Sequence, residues 1–247
     1  MKIQFRRFLS VDSPKAVKAN SYGYLNGINY GAPHKSGGVG NLCSHASAGC
    51  IALCLGEHSG QAAMSETVRD SRKRKMVFFM KYRSEYMQEF AYHVQKLIDN
   101  AKKDGLKPAI RPNGSTDIAY EGVAVTVNGK VYPNIMSAFP ETPFLDYTKN
   151  PNRFNRKLPP NYHLTFSLSE TNEPIARALL ERGVNVAAIF DHGLPETYLG
   201  HPVINGDLHD LRFLDPKGVI VGLSPKGHKA KRDQSGFVIR NYETHNV

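Results

Sequence analysis

Cysteine is missing from nearly all of this chain. Its three copies, Cys43, Cys50 and Cys54, fall within the stretch CSHASAGCIALC, and the rest of the 247 residues has none. An odd count cannot pair off into a disulfide framework. No run of 18 apolar residues occurs, so no membrane-spanning helix is expected. The N-terminal MKIQFRRFLSVDSPK carries charge but lacks an apolar stretch of signal-peptide length, so a cytoplasmic location is expected. Thiols stay reduced there, and clustered ones then point to metal or catalysis. Internal repeats and low-complexity segments are absent. No P-loop or dinucleotide-binding glycine fingerprint occurs: GGVGNLC runs into cysteines, not into a phosphate-binding helix with lysine, which argues against ATP-driven chemistry. Acidic residues are also short, 22 against 32 basic ones, and the net charge of +10 favours a polyanion partner such as nucleic acid or nucleotide phosphates.

Hydrophobic residues make up 40%, enough for one sizeable core, and the whole of 1–247 reads as one domain. Residues 1–42 form a Gly- and Tyr-rich lead-in, 43–104 a cysteine loop and helices, 105–237 strands with a polar mouth, and 238–247 a tail. A short helix over 48–57 would carry Cys50 and Cys54. Ser65 is a fitting N-cap for a helix to Lys81. From Ser84, the residues Met87, Phe90, Ala91, Val94, Leu97, Ile98 and Ala101 recur at helical steps, and Gly105 supplies a stop. Beyond it the rhythm changes. Five apolar runs, at 107–117, 143–150, 162–172, 185–193 and 218–227, each end in polar residues. A helix over 173–182 separates the third and fourth, and VAVTVNGKVYPN reads as an Asn-Gly hairpin. Strand, crossover and strand again predict an α/β fold: an incomplete (β/α) barrel of mostly parallel strands with a metal-binding cysteine loop.

Such sheets carry their sites at the carboxyl ends of the strands. Arg111, Asn113, Ser115, Asp117, Asp146, Lys149, Ser167, Ser169, Glu170, Asp191, His192 and Lys226 would ring that mouth. Three thiolates there can hold zinc with a histidine, His34, His45 or His58, as fourth ligand. They can also hold an iron–sulfur cluster with one iron left open for substrate or cofactor, the arrangement of radical S-adenosylmethionine enzymes. The C-x6-C-x3-C spacing departs from the C-x3-C-x2-C common in those enzymes.

The segments APHKSGGVGNLCSHASAGCIALCLG, KPAIRPNGSTDI, FLDYTKNPNR, NYHLTFSLSETNE and LHDLRFLDPKGVIVGL resemble the gene product 88 family of phage and prophage proteins, over about residues 30 to 237. That family is itself similar to a degenerate radical-SAM barrel. The resemblance implies a phage or prophage source and the cytoplasm of a bacterium carrying it.

The expected function is an iron–sulfur enzyme, radical-SAM-like, acting on a nucleotide or nucleic acid. Cys43, Cys50 and Cys54 would hold a [4Fe–4S] cluster. Asn113, Ser115, Asp117, Ser167 and Glu170 would hold cofactor, S-adenosylmethionine included, or substrate. Lys149, Asp191 and His192 would be the polar or proton-transfer groups. Arg72, Lys73, Arg74 and Lys75, in the run RDSRKRK, would bind phosphates, and SPKGHKAKRDQSG is a second basic stretch. In NGDLHDLRFLD, Asp207, His209, Asp210 and Arg212 lie together and read as an Asp–Arg pair closing a loop, or else as a hard-metal or acid–base group. Two alternatives stand beside this. One is a zinc-stabilised nucleic-acid-binding protein without catalysis. The other is a zinc-bearing barrel that exchanges bases through an Asp117 or Asp146 nucleophile.

Overall fold

The computed structural model describes residues 5, 7–58 and 60–242. Residues 1–4 and 6 of the expected lead-in, Ser59 and residues 243–247 of the expected tail lie outside them. The strands are β1 (Tyr24–Ile28), β2 (Lys107–Arg111), β3 (Val125–Val127), β4 (Lys130–Tyr132), β5 (Phe144–Thr148), β6 (Tyr162–Ser167), β7 (Val186–Ile189), β8 (Thr197–Tyr198), β9 (His201–Asn205) and β10 (Ile220–Leu223). The helices are α1 (Pro14–Lys18), α2 (Ala48–Ala52), α3 (Leu55–His58), α4 (Gly60–Met64), α5 (Glu66–Lys81), α6 (Arg83–Lys103), α7 (Ile135–Ala138), α8 (Glu173–Glu181) and α9 (Gly227–Lys231).

Eight strands form one sheet in the order β1-β2-β5-β6-β7-β10-β9-β8. Every neighbouring pair is parallel except β8 with β9. From β1 through β7 each later strand of this sheet joins the same growing edge, as in a β/α barrel, and β10 then inserts between β7 and the earlier β9–β8 pair, which reverses the order at that end. Among the described residues the edge strands β1 and β8 do not pair, so the expected incomplete barrel is an open, mostly parallel sheet. The hairpin β3–β4 forms as its Asn-Gly turn predicts, with Asn128 and Gly129 both at positive φ, but as a separate two-stranded sheet.

Both long helices start where their sequences predict. Ser65 Oγ accepts the Val68 amide at 3.4 Å. The apolar stripe of α6 buries Met87, Phe90, Val94 and Leu97 against Ile110, Phe144 and Tyr162. Each large side chain so buried contributes about 1.5–3 kcal/mol. Further along, α8 lays Ala176, Leu179 and Leu180 on Phe166, Val186 and Ile220.

The opposite face of the sheet is covered by the chain itself. Leu211, with Ala19, packs on Ala109 and Leu145, and Phe213 packs against them, so part of the 206–215 segment lies on this face. The strands β8 and β9 were not legible: β8 is two residues long, and β9 contains Pro202 and lacks apolar alternation. The single helix expected over 48–57 is two. The amide of Cys54 bonds to the Ile51 carbonyl at 3.3 Å in a tight turn, which leaves Cys54 between α2 and α3.

Candidate metal centre at the strand mouth

Parallel strands put all their carboxyl ends on one side. The chain leaves β1 there and at once builds the cysteine segment. The Asn29 amide continues the β1–β2 ladder to the Arg111 carbonyl at 2.9 Å, and Gly114 donates back to the Asn29 carbonyl at 2.9 Å. Ser115 Oγ donates to the Gly31 carbonyl at 2.6 Å. Two glycines let the segment lie close over the strand ends. A Cβ on Gly56 would sit 2.8 Å from the Ser115 Cβ, and one on Gly49 would sit 2.8 Å from the Phe237 Cβ. Glu170, just past β6, accepts the Ser47 hydroxyl and the Gly49 amide, both at 2.8 Å. Ser47 in turn caps α2 by accepting the Cys50 amide at 3.2 Å.

The three thiols are half-buried and close enough for the charge on one to act on the others. Burial pushes Cys43 up to about 12 and Cys54 up to about 11, and charge on the neighbouring cysteines adds to both. Backbone amides oppose this. His34, held at φ 50° in the left-handed region, donates its N–H to Cys43 Sγ at 3.3 Å. The backbone amides of Gly56 and Glu57 work to lower Cys54, and the Glu57 amide donates to the Cys54 carbonyl at 3.1 Å. The Cys43 thiol donates to the Ser115 carbonyl at 4.0 Å. Low-dielectric surroundings disfavour a free thiolate at both sulfurs, and at Cys43 one backbone N–H aimed at the sulfur opposes this.

The histidines named as a fourth zinc ligand are not gathered with the thiols. Among the described residues, no three His, Cys, Asp or Glu, the three thiols included, converge closely enough to hold a metal ion as they stand. His34 contributes its backbone, and His45 Nδ1 bonds to Ser44 Oγ at 2.9 Å.

Ser115 and Glu170 both touch the cysteine segment, and their side chains are engaged with it. Asn113 does not offer itself to a ligand. It is 2% exposed, its Oδ1 accepts Thr116 Oγ1 and the Ile118 amide, and its Nδ2 donates to Asp146 Oδ2 and the Ile118 carbonyl. Asp117 accepts Thr148 Oγ1, the Lys149 amide and Arg153 Nη1. Asp146 is fully buried, its Oδ2 accepts the Tyr162 hydroxyl, and burial pushes it up to about 6. Neither carboxylate is free to act as the nucleophile of a base exchange. Ser167 ends β6, and its carbonyl accepts Asn172 Nδ2 at 3.1 Å.

Lys149 stays at the mouth, its ammonium 5.1 Å from the centre of the Phe237 ring. Asp191 and His192 are turned to another task. Asp191 accepts Tyr242 Oη at 3.1 Å, Arg240 Nη1 at 3.0 Å and His192 Nδ1. What burial it has works to raise Asp191, but the bonds from Tyr242 and His192 and the charge of Arg240 hold it below the usual carboxylate range. The His192 ring stacks on Tyr242 at 4.9 Å. Together they fasten the 237–242 segment beside β7, where Phe190 bridges Ile239.

The four-residue phosphate cluster on α5 is split by the helix. Consecutive residues turn by about 100°, so Arg72 to Lys75 cannot share a face. Lys75 is 5% exposed and donates to the Phe8 carbonyl and Asn29 Oδ1. Arg72 lies over the Tyr30 ring and donates to the Gly56 carbonyl at 2.7 Å, so it supports the cysteine segment. Lys73 and Arg74 alone remain exposed.

Two buried networks were missed. Arg153 meets Glu121 through two bonds of 2.8 Å, together with Asp117 and Tyr162. Asp210, 0% exposed, pairs with Arg111 and Lys15 and accepts the Tyr147 hydroxyl. Burial works to raise Asp210, but Arg111 and Lys15 hold it well below the usual range. An Asp–Arg pair does close this loop, but with Arg111 from β2. Arg212 pairs with Asp215 instead, at 3.2 Å. Nothing local in the sequence marks partners this far apart.

No helix among the described residues is long and apolar enough to cross a membrane. No curated protein and no solved structure matches the chain. A family model described as Gene product 88 matches residues 7–241, from ahead of α1 to the segment fastened by Tyr242. The cysteine loop after β1, the strand mouth and the basic helix α9 all fall within that match, and the chain belongs to the phage gene product 88 family.

Proposed function

We propose that the protein is an iron–sulfur enzyme whose cluster is held by Cys43, Cys50 and Cys54 at the mouth of the parallel sheet, acting on a nucleotide or nucleic acid. The observation that carries this is the His34 backbone N–H donated to the Cys43 sulfur, inside surroundings that otherwise keep Cys43 and Cys54 neutral, on three thiols gathered within twelve residues. A cluster so bound supplies an electron and, with three protein ligands, one iron open to S-adenosylmethionine or substrate.

The chain's own residues do the rest. Glu170 and Ser47 hold α2 and therefore Cys50. Arg72 secures the turn at Gly56, next to Cys54. Ser115 joins the loop after β2 to the segment after β1. Lys149 stands at the rim as a cation for an anionic group.

Anaerobic purification and metal analysis test the reading. The expected result is a brown protein with about four irons per chain, lost on Cys50→Ala. A colourless protein with one zinc overturns it, as does full iron loading of Cys50→Ala.

A further inference from the structure

The second basic stretch, SPKGHKAKRDQSG, is held at the strand mouth. It leaves the carboxyl end of β10, forms α9 and packs against α3, next to Cys54. Its far side is held by Asp233, whose carboxylate accepts the Ser235 amide and hydroxyl and the Val238 amide. Arg240 donates to the carbonyls of Asp233 and Lys231 at 2.7 and 2.8 Å. Ser235 and Phe237 then touch Gly49 of α2. Ala230 faces inward, while His228, Lys229, Lys231 and Arg232 face solvent. Among the described residues none of these four forms an ion pair, whereas Lys226 pairs with Asp207 at 3.0 Å. The one carboxylate of the segment, Asp233, is buried and occupied. Lys149 comes in over Phe237 from β5 and extends the same cationic rim.

We propose that this rim binds the sugar-phosphate backbone of a nucleic acid and seats the strand over the cysteine mouth. Lys229, Lys231 and Arg232, exposed and unpaired on a chain of net charge +10, release counterions when they meet phosphates. This refines the nucleic-acid reading above and rests on it only for what the strand is brought to.

The experiment is fluorescence anisotropy with a labelled 20-nucleotide single-stranded DNA and its duplex, at about 50 to 200 mM salt. The paired variant Lys229→Glu/Lys231→Glu is compared with Lys73→Glu/Arg74→Glu, an equal charge change on the exposed face of α5. The expected result is micromolar binding of at least one probe by the wild-type protein. The α9 variant should weaken it at least tenfold and lower the salt slope by about 1.4 on the single strand or about 1.8 on the duplex. The α5 variant should stay within about twofold. Equal losses in both variants assign the binding to net charge and overturn the proposal. Absence of wild-type binding at about 50 mM salt overturns it as well. Iron analysis of the same samples keeps the two readings apart: α9-dependent binding by a protein without iron sinks the cluster and leaves the rim standing.

Discussion

Glu170 Oε1 accepts the backbone amide of Gly49 at 2.8 Å across 121 residues of sequence. With Ser47 on its other oxygen, the carboxylate ties the end of β6 to the first turn of the helix that carries Cys50. Charge-assisted bonds of this kind contribute about 1.5–3 kcal/mol. Glu170→Ala is expected to lose that much in urea unfolding and to lower the iron retained per chain, with Glu170→Gln intermediate in both. A stable Ala variant with full iron would remove the positioning role.

The thiols set an alkaline limit. Cys43 and Cys54 are raised above the ordinary value of about 8.5. Between that value and their folded values the native state therefore binds more protons than the unfolded one. Their contribution to stability is complete below about pH 8.5 and fades as pH rises through about 11 and 12. In metal-free protein both should alkylate slowly with iodoacetamide at pH 8, and faster by about tenfold per pH unit above it. Timed labelling with peptide mass mapping reads this, and labelling at the rate of an unfolded control would refute it.

Lys75 works in the opposite sense. Burial, then the nearby charge of Arg72, lowers it to about 7, and its hydrogen-bond partners are the Phe8 carbonyl and Asn29, neither charged. The unfolded chain binds the proton more tightly, so the Lys75 contribution is present above about pH 10.4 and lost as pH falls through 7. Wild-type stability should climb from pH 7 to 8.5, by at most about 1.4 kcal/mol per pH unit. Lys75→Met should flatten that slope in urea melts, and an unchanged slope would contradict the account.

Arg153 is the cation of a buried carboxylate set, 3% exposed, with Glu121 and Asp117 paired to it and Tyr162 bonded to it. Arg153→Ala strands these partners and is expected to cost about 3–5 kcal/mol. Arg153→Lys should recover little, because an ammonium cannot reproduce the two-bond fork to Glu121. Urea midpoints of the two variants check both statements, and a loss under about 1 kcal/mol for Ala would show the network to be weak.

Much of the local structure was legible. The helices α5, α6 and α8 and five strands follow from period, caps and the residues that stop them, because each signal lies within one or two turns of chain. The cysteine cluster was legible for the same reason: twelve consecutive residues hold it. The roles of many single residues were not. In the run Arg72 to Lys75, identical charge reads alike along the sequence, yet the helix buries Lys75, turns Arg72 to the cysteine segment and leaves two residues in solvent. Asn113 and Asp117 read as ligand groups because they end a strand, and their hydrogen bonds are already spent on the loop they close.

By itself the sequence determined which segments are helix and strand, where the thiols lie and that the chain is basic. These depend on neighbours in the chain and on composition. The tertiary structure alone decided that β10 inserts between β7 and β9, that Asp210 meets Arg111 and Lys15, that Glu170 steadies the cysteine helix, and that the basic α9 stands beside it. Each of those contacts joins residues far apart in sequence, and burial and ion pairing are set by which surfaces pack together, a property of the folded chain that no local pattern carries.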